Sequence, residues 1–269
     1  MYDTTAMKEI RFFYAPDVAA ERALPAEEAA HAVRVLRMKE GDALVAADGK
    51  GNLYEATIAA ASRNACYLDI TRCLHVQPTW QSRICLAVAP TKNMDRMEWL
   101  AEKATEIGFD ELALLDCDNS ERRAVKTERL DKIIVSAMKQ SRKACKPLLR
   151  PMEKFADFVK QPFDGQKFIA HCYAAADIAG AVPAPAAETP DSEAEAIVSF
   201  DTGQPDLQTL LSATQNSLVL IGPEGDFSIE EVRLALSIGF QSVSLGPSRL
   251  RTETAALTAV HLMNLAKRK

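Results

Sequence analysis

Ile221-Gly-Pro-Glu-Gly-Asp-Phe227 and Leu245-Gly-Pro-Ser-Arg-Leu-Arg-Thr-Glu253 decide how this chain folds, because each follows a short apolar run and leads into a helical pattern. A strand that ends in Gly-Pro and hands over to a helix leaves its sheet at the carboxyl edge, where open α/β folds bind ligands. Glycine lets the backbone approach a ligand closely, and proline fixes the loop shape in advance. Neither stretch is GxxxxGK[ST] or GxGxxG, and Glu224 would repel a pyrophosphate, so a phosphate cradle is disfavoured. Backbone donors and acceptors in an apolar slot suit a nucleoside edge instead. Either loop alone is also compatible with an ordinary strand-to-helix turn.

Outward from these loops, apolar runs at 84–89, 112–115, 168–172, 197–200, 218–221 and 243–245 alternate with amphipathic helical patterns. Continuous apolar strands separated by helices predict a parallel sheet covered on both faces. The helices are predicted at Met94–Ile107, closed by Gly108, at 130–145, at 228–239 with a Ser228/Glu231 capping box, and at 252–265. The first 76 residues have a different texture. Short β patterns at 11–14, 43–46, 53–59 and 66–72, with Gly41-Asp42 and Asp48-Gly49 turn signals, predict a small barrel interrupted by one helix over 27–37. The expected division is therefore 1–76, a small β domain, and 77–269, an α/β domain. Residues 174–196, rich in Ala, Pro and Glu, read as a surface excursion.

No apolar run approaches the roughly 20 residues that a membrane span requires, and the N-terminus has no export-signal core, so a soluble cytoplasmic protein with no membrane partner is expected. The six cysteines form no CxxC pair, and His31, His75, His171 and His261 are dispersed, which argues against a metal site or a disulfide framework. The net charge of −5 hides an uneven distribution: residues 120–154 carry eleven Lys or Arg against four acids, and 155–206 carry nine acids against two lysines. A local basic face is what an anionic polymer needs, whatever the total charge.

The two Gly-Pro loops do not stand alone. With Lys92-Asn-Met-Asp-Arg-Met-Glu98, Glu102-Lys-Ala-Thr-Glu-Ile-Gly108 and Gln140-Ser-Arg142 before Pro147, the C-terminal part resembles the RsmE family of ribosomal small-subunit RNA methyltransferases, of the SPOUT class. Arg11-Phe-Phe13, His31-Ala-Val-Arg-Val-Leu-Arg37 and Gly41-Asp42 resemble that family's PUA-like RNA-binding domain, so nearly the whole chain is covered. The resemblance implies a trefoil-knotted parallel sheet, a homodimer, and methyl transfer from S-adenosylmethionine to N3 of a uridine in 16S ribosomal RNA, presented in an assembled small ribosomal subunit. It also implies a cofactor site at Asp201, Thr202 and Gly203, at Ile221, Gly222, Pro223, Glu224 and Gly225, and at Leu245, Gly246 and Leu250. Two departures from the family pattern stand out: Asp226, where a second glycine is usual, and Pro247-Ser248.

Uridine N3 is a protonated imide at neutral pH. Methylation there requires loss of that proton and stabilisation of charge on O2 and O4. Arg249 and Arg251 are the candidates for stabilising it, and Glu253 or Glu224 for orienting the base or accepting the proton. RNA contacts are expected from Arg11, His31, Arg34, Arg37, Arg122, Arg123, Lys139, Arg142 and Lys143, with Phe12, Phe13 and Tyr14 available either for base stacking or for the barrel core. A related enzyme acting on another RNA or atom, such as a transfer RNA 2'-hydroxyl, and a non-catalytic assembly factor are the competing readings.

Overall fold

Residues that alternate apolar and polar build one compact unit, and continuous apolar runs build another. The computed structural model describes residues 11–179 and 203–269; the strand expected at 197–200, Asp201, Thr202 and residues 180–196 of the excursion lie outside them. By their internal contacts, residues up to 79 group with 132–146, and residues 80–131 group with 147–269.

In the first unit the elements are β1 (Arg11–Tyr14), α1 (Val18–Glu21), α2 (Ala26–Ala30), a π-helical turn (His31–Val35), β2 (Ala43–Ala47), β3 (Asn52–Ala61) and β4 (Cys66–His75). They form a four-stranded sheet in the order β1-β2-β3-β4, with β1 parallel to β2 and the remaining pairs antiparallel. Phe13, Leu44, Ala46, Tyr54, Ile58 and Leu68 pack on one face under Ala29, Ala32 and Met38. On the other face Val45, Ala47 and Leu53 meet Met138 and Ala144, with Phe12 and Tyr14 half-buried beside them. Phe13 is therefore core rather than a stacking platform. The helix expected over 27–37 is α only in its first half. Leu36 N–H reaches back five residues to His31 O at 3.0 Å, and the extra residue in that turn rotates Val35 outward to 66% exposure.

In the second unit come β5 (Ile84–Val88), α3 (Met94–Ile107), β6 (Glu111–Asp116), the start of α4 (Thr127–Gln140), β7 (Leu148–Lys154), α5 (Phe155–Phe158), β8 (Gln166–Ala170), α6 (Ala175–Ala179), α7 (Leu207–Leu210), β9 (Ser217–Ile221), α8 (Ile229–Ser237), β10 (Gln241–Val243) and α9 (Thr252–Lys267). The six strands are all parallel, in the order β10-β8-β9-β5-β6-β7. β5 and β9, buried at every position, are the central pair. The chain runs outward from β5 to β7 and returns on the other side through β8, β9 and β10, which opens a crevice at the carboxyl ends of the central strands. Asn93 caps α3 by accepting from Asp95 N at 3.0 Å, and Ser228 and Glu231 form the predicted capping box on α8.

Besides the short helices α5, α6 and α7, which the sequence reading did not place, β7 and α4 differ from the sequence expectation. β7 went unpredicted because it is an edge strand with polar residues and Pro151, and its register against β6 shifts between Ala113 and Leu114. The helix expected at 130–145 starts earlier and stops at Gln140. Arg142 turns left-handed (φ 53°), and Cys145 then bridges to Gly49 and Lys50.

Candidate active site

Because the strands are parallel, the loops after β5, β8, β9 and β10 all leave the same edge. Those after β8, β9 and β10, with Arg96 of α3, line a cavity of about 550 Å³. Ile221, Gly222, Pro223, Glu224, Leu245, Gly246 and Leu250, expected at a cofactor site, line it, as do Arg249 and Arg251. A Cβ at Gly222 would lie 3.0 Å from Phe227 N and 3.1 Å from its ring, so glycine is what lets this loop fold back on itself. Gly246 has φ 119°, a backbone state that side chains resist.

Gly225 faces away from the cavity, toward Asn119, whose Nδ2 donates to Gly225 O at 3.3 Å and to Asp226 O at 3.1 Å. Gly203 (φ 68°) is not among the lining residues; the nearby Pro205 O accepts from Ser244 N at 2.9 Å, beside the end of β10. Asp201 and Thr202 fall outside the described residues.

Asp226 explains its own departure from glycine. It sits at φ 63°, the left-handed region that asparagine and aspartate tolerate best after glycine. Its Oδ2 accepts from Cys172 N at 2.8 Å, tying the β9 loop to the β8 loop. Glu224 is a second tie: its Oε1 accepts from Lys92 N at 2.9 Å and fastens the β9 loop to the β5 loop. Arg122 secures that β5 loop through Thr91 O at 3.2 Å and Lys92 O at 2.6 Å. Arg123 is spent on Asp116 Oδ1, Cys117 O and Asp118 O at 2.7–2.9 Å. Burial alone would raise the Asp116 carboxyl, but Lys154 and Arg123 outweigh it and hold the group below its ordinary range.

The β8 loop supplies lining residues that the sequence did not reveal: His171, Cys172, Ala174 and Asp177. The apolar run to 172 reads as strand, yet β8 ends at Ala170 and the next residues turn into the cavity. His171 Nδ1 accepts from Tyr173 N at 3.2 Å, which leaves Nε2 to donate to Ser242 Oγ at 2.8 Å. Burial lowers its pKa, with Asp226 opposing, so the neutral ring serves as a brace. Arg96, from the first turn of α3, also lines the cavity. It lies inside the Lys92–Glu98 motif, so its position was quoted without its role being visible. Glu253, an expected acid, is turned aside and only 8% exposed; its Oε1 is 3.7 Å from Arg96 Nε.

Of the expected RNA contacts, Arg11, His31, Arg34, Arg37, Lys139, Arg142 and Lys143 belong to the first unit, and Arg122 and Arg123 to the second. Arg11, His31 and Arg37 are exposed, and Arg34 is held by Arg63 O at 3.3 Å and by Asn64. Lys139 is paired with Glu28, and Lys132 with Glu27 at 3.1 Å, so much of the basic helical face already has carboxylate partners. Arg142 and Lys143 follow the end of α4.

A family profile described as an RNA methyltransferase domain matches residues 78–264, and one described as an RNA methyltransferase PUA domain matches residues 24–71. The structure is similar to that of a probable rRNA-methyltransferase from Porphyromonas gingivalis, with 39% identity, coverage of 96% of this chain and 98% of that one, and a TM-score of 0.80. It is also similar to a putative methyltransferase from Legionella pneumophila solved with bound cofactor SAM, with 26% identity, 96% and 98% coverage, and a TM-score of 0.76. The ribosomal RNA small subunit methyltransferase E of Rickettsia conorii is 26% identical over 234 residues, 86% of this chain and 84% of that protein.

Proposed function

The chain belongs to the RNA methyltransferase family, and on that premise we propose that it transfers a methyl group from S-adenosylmethionine to N3 of a uridine in 16S ribosomal RNA of the small subunit. The observation that carries this reading is the carboxyl-edge cavity, where two Gly-Pro loops meet and Arg249 and Arg251 present guanidiniums with no hydrogen-bond partner among the described residues. The relatives named for small-subunit RNA methylation support the substrate.

The residues present fit the cofactor. Ile221, Val243, Leu245 and Leu250 give apolar walls for an adenine ring, and the loops hold no phosphate cradle. Glu224 and Asp177 put carboxylates beside a ligand that carries positive charge on its sulfonium and amino groups. Bound there, S-adenosylmethionine supplies an electrophilic methyl group, and the chain's own work is to hold the uridine and stabilise its N3-deprotonated form. Arg249 and Arg251 do the latter; a guanidinium offers a planar fork to an imide oxyanion. Glu224, tied to Lys92 N, acts as a strut rather than as the base.

Exposed Arg11, His31 and Arg37 on the first unit, with Arg34, Arg142 and Lys143, form the proposed RNA-positioning set. The same proposal includes a cytoplasmic site of action on an assembled subunit, a trefoil knot beside β8 to β10, and a homodimer. Trp99 on α3 and Leu265 on α9, each 43% exposed, are apolar surface that a second copy would cover.

The test is transfer of labelled methyl from S-adenosylmethionine to small ribosomal subunits lacking their native modification, with nucleoside analysis of the product. N3-methyluridine is expected. A 2'-O-methylated product, or transfer to transfer RNA alone, would overturn the substrate assignment; bound cofactor with no transfer to any RNA would overturn the enzymatic reading.

A further inference from the structure

We propose that Arg96 is a third cationic residue of the reaction site, contacting the target base, and that Glu253 is its positioning residue. The inference rests on the methyltransferase reading above and assigns a role within that same site. Arg96 reaches the cavity from α3, on a different strand-helix unit from the loop that carries Arg249 and Arg251.

Its chemistry differs from that of the other arginines of this edge. Arg122 and Arg123 spend their donors on backbone carbonyls and Asp116. The Arg96 guanidinium makes no hydrogen bond among the described residues, although its side chain is only 37% exposed. A half-buried cation requires a counter-charge, and Glu253 provides one at 3.7 Å, beyond hydrogen-bonding distance. The carboxylate thus balances the guanidinium without occupying its donors. Those donors stay available to a ligand.

Glu253 points the same way. Its carboxylate is buried, and Oε2 has no hydrogen-bond partner among the described residues. An unpaired buried oxygen is costly and calls for a reason. Its place in the first turn of α9 favours an acid through the helix dipole, but that effect does not require Arg96 to stand opposite it. The buried acid is understandable as the charge that holds Arg96 at the cavity, where Arg96 and not Glu253 lines the wall. Base contacts specify and phosphate contacts position. Arg249 and Arg251 are exposed, whereas Arg96 is more deeply set and anchored to a buried acid, which suits the nucleobase. In the reaction the N3–H bond breaks, its proton leaves to solvent or an acceptor, and N3 forms the bond to the methyl carbon as the sulfonium–methyl bond breaks. Arg96 stabilises the negative charge held on O2 or O4 while N3 is deprotonated.

The experiment compares wild type with Arg96→Ala, Arg96→Lys, Glu253→Gln and the Arg96→Ala/Glu253→Gln pair. It measures kcat, KM for small subunits, the pH–rate profile and calorimetric affinity for S-adenosylmethionine. Arg96→Ala is expected to lower kcat by about a hundredfold or more, as loss of an oxyanion donor does. It should leave cofactor affinity unchanged while lowering the melting midpoint, because buried Glu253 loses its counter-charge, and the Arg96→Ala/Glu253→Gln pair should recover stability without recovering kcat. Arg96 favours the deprotonated base, so its removal raises the apparent pKa of bound uridine and moves the alkaline rise of kcat to higher pH. Arg96→Lys should fall between, and the double variant should be no slower than Arg96→Ala, because Glu253 acts through Arg96. A raised KM with kcat and pH profile intact would make Arg96 a phosphate contact, and weakened cofactor binding would make it a cofactor residue; either result overturns the proposal. If wild type makes no N3-methyluridine, the parent reading fails too; if it does and Arg96→Ala keeps the wild-type kcat and profile, only this inference fails.

Discussion

At the amino edge of the parallel sheet Arg83 and Arg150 converge on buried Glu111, while at the carboxyl edge Arg96, Arg249 and Arg251 border a cavity of about 550 Å³. The amino-edge cluster is closed. Arg150 donates to Glu153 at 2.6 Å and Gln161 at 2.7 Å and lies 5.1 Å from the Phe158 ring centre, and the cleft beside it measures about 100 Å³. Even Lys267, fully buried where α9 returns to this edge, gives its ammonium to Ser82 Oγ at 3.0 Å, Ser212 O at 2.9 Å and Gln215 O. The same residue types are tied into the fold at one edge and, at the other, make no hydrogen bond among the described residues. What separates them is whether their donors are already spent.

The sharpest way to break this contrast is to exchange the two kinds of arginine. On the proposed role, Arg251→Ala should reduce methyl transfer by about a hundredfold or more with the melting midpoint unchanged, because the side chain is exposed and has no hydrogen-bond partner among the described residues to lose. Arg150→Ala should do the reverse: full kcat, and a stability loss of about 1–3 kcal/mol in chemical denaturation, from carboxylates left short of donors. Lys267→Met, which keeps the packing and removes the ammonium, should cost about 1–3 kcal/mol and leave cofactor affinity unaltered. Gly222→Ala sharpens the comparison from the other side. The added methyl meets Phe227 N at 3.0 Å, and the displaced loop should weaken cofactor binding by about tenfold, or 1.4 kcal/mol, in a calorimetric titration.

The smallest effect is one of pH. His171 has a folded-state pKa depressed by burial below its ordinary 6.5, so the unfolded chain takes up the proton first. Stability should therefore fall as pH drops below 6.5 toward the depressed value and level off beneath it. His171→Asn should flatten that part of the denaturation-versus-pH curve; an unchanged slope would remove His171 as its source.

Legibility in the sequence follows the same division. α3 was readable because its apolar stripe and Gly108 stop agree, and the central strands because burial on both faces leaves them almost uniformly apolar. The Gly-Pro loops were readable as loops at the carboxyl edge of the sheet, and nine of the expected residues line the cavity there. β7 was hidden because an edge strand need not be apolar, and the π-turn because one added residue leaves the helical pattern nearly intact. The separation of Arg96 from Arg122, or the turning of Glu253 away from the cavity, depends on partners distant in sequence, which no local pattern records.

The most direct test of the central claim, that the carboxyl-edge cavity is where the cofactor binds, is calorimetric titration of S-adenosylmethionine into wild type and Ala255→Trp. Ala255 lines the cavity from the first turn of α9 and is partly exposed, so an indole there fills the space without breaking the fold. Saturable one-site binding by wild type, abolished in Ala255→Trp with an unchanged melting midpoint, is the predicted result; undiminished binding by the folded variant would place the cofactor elsewhere and contradict the account.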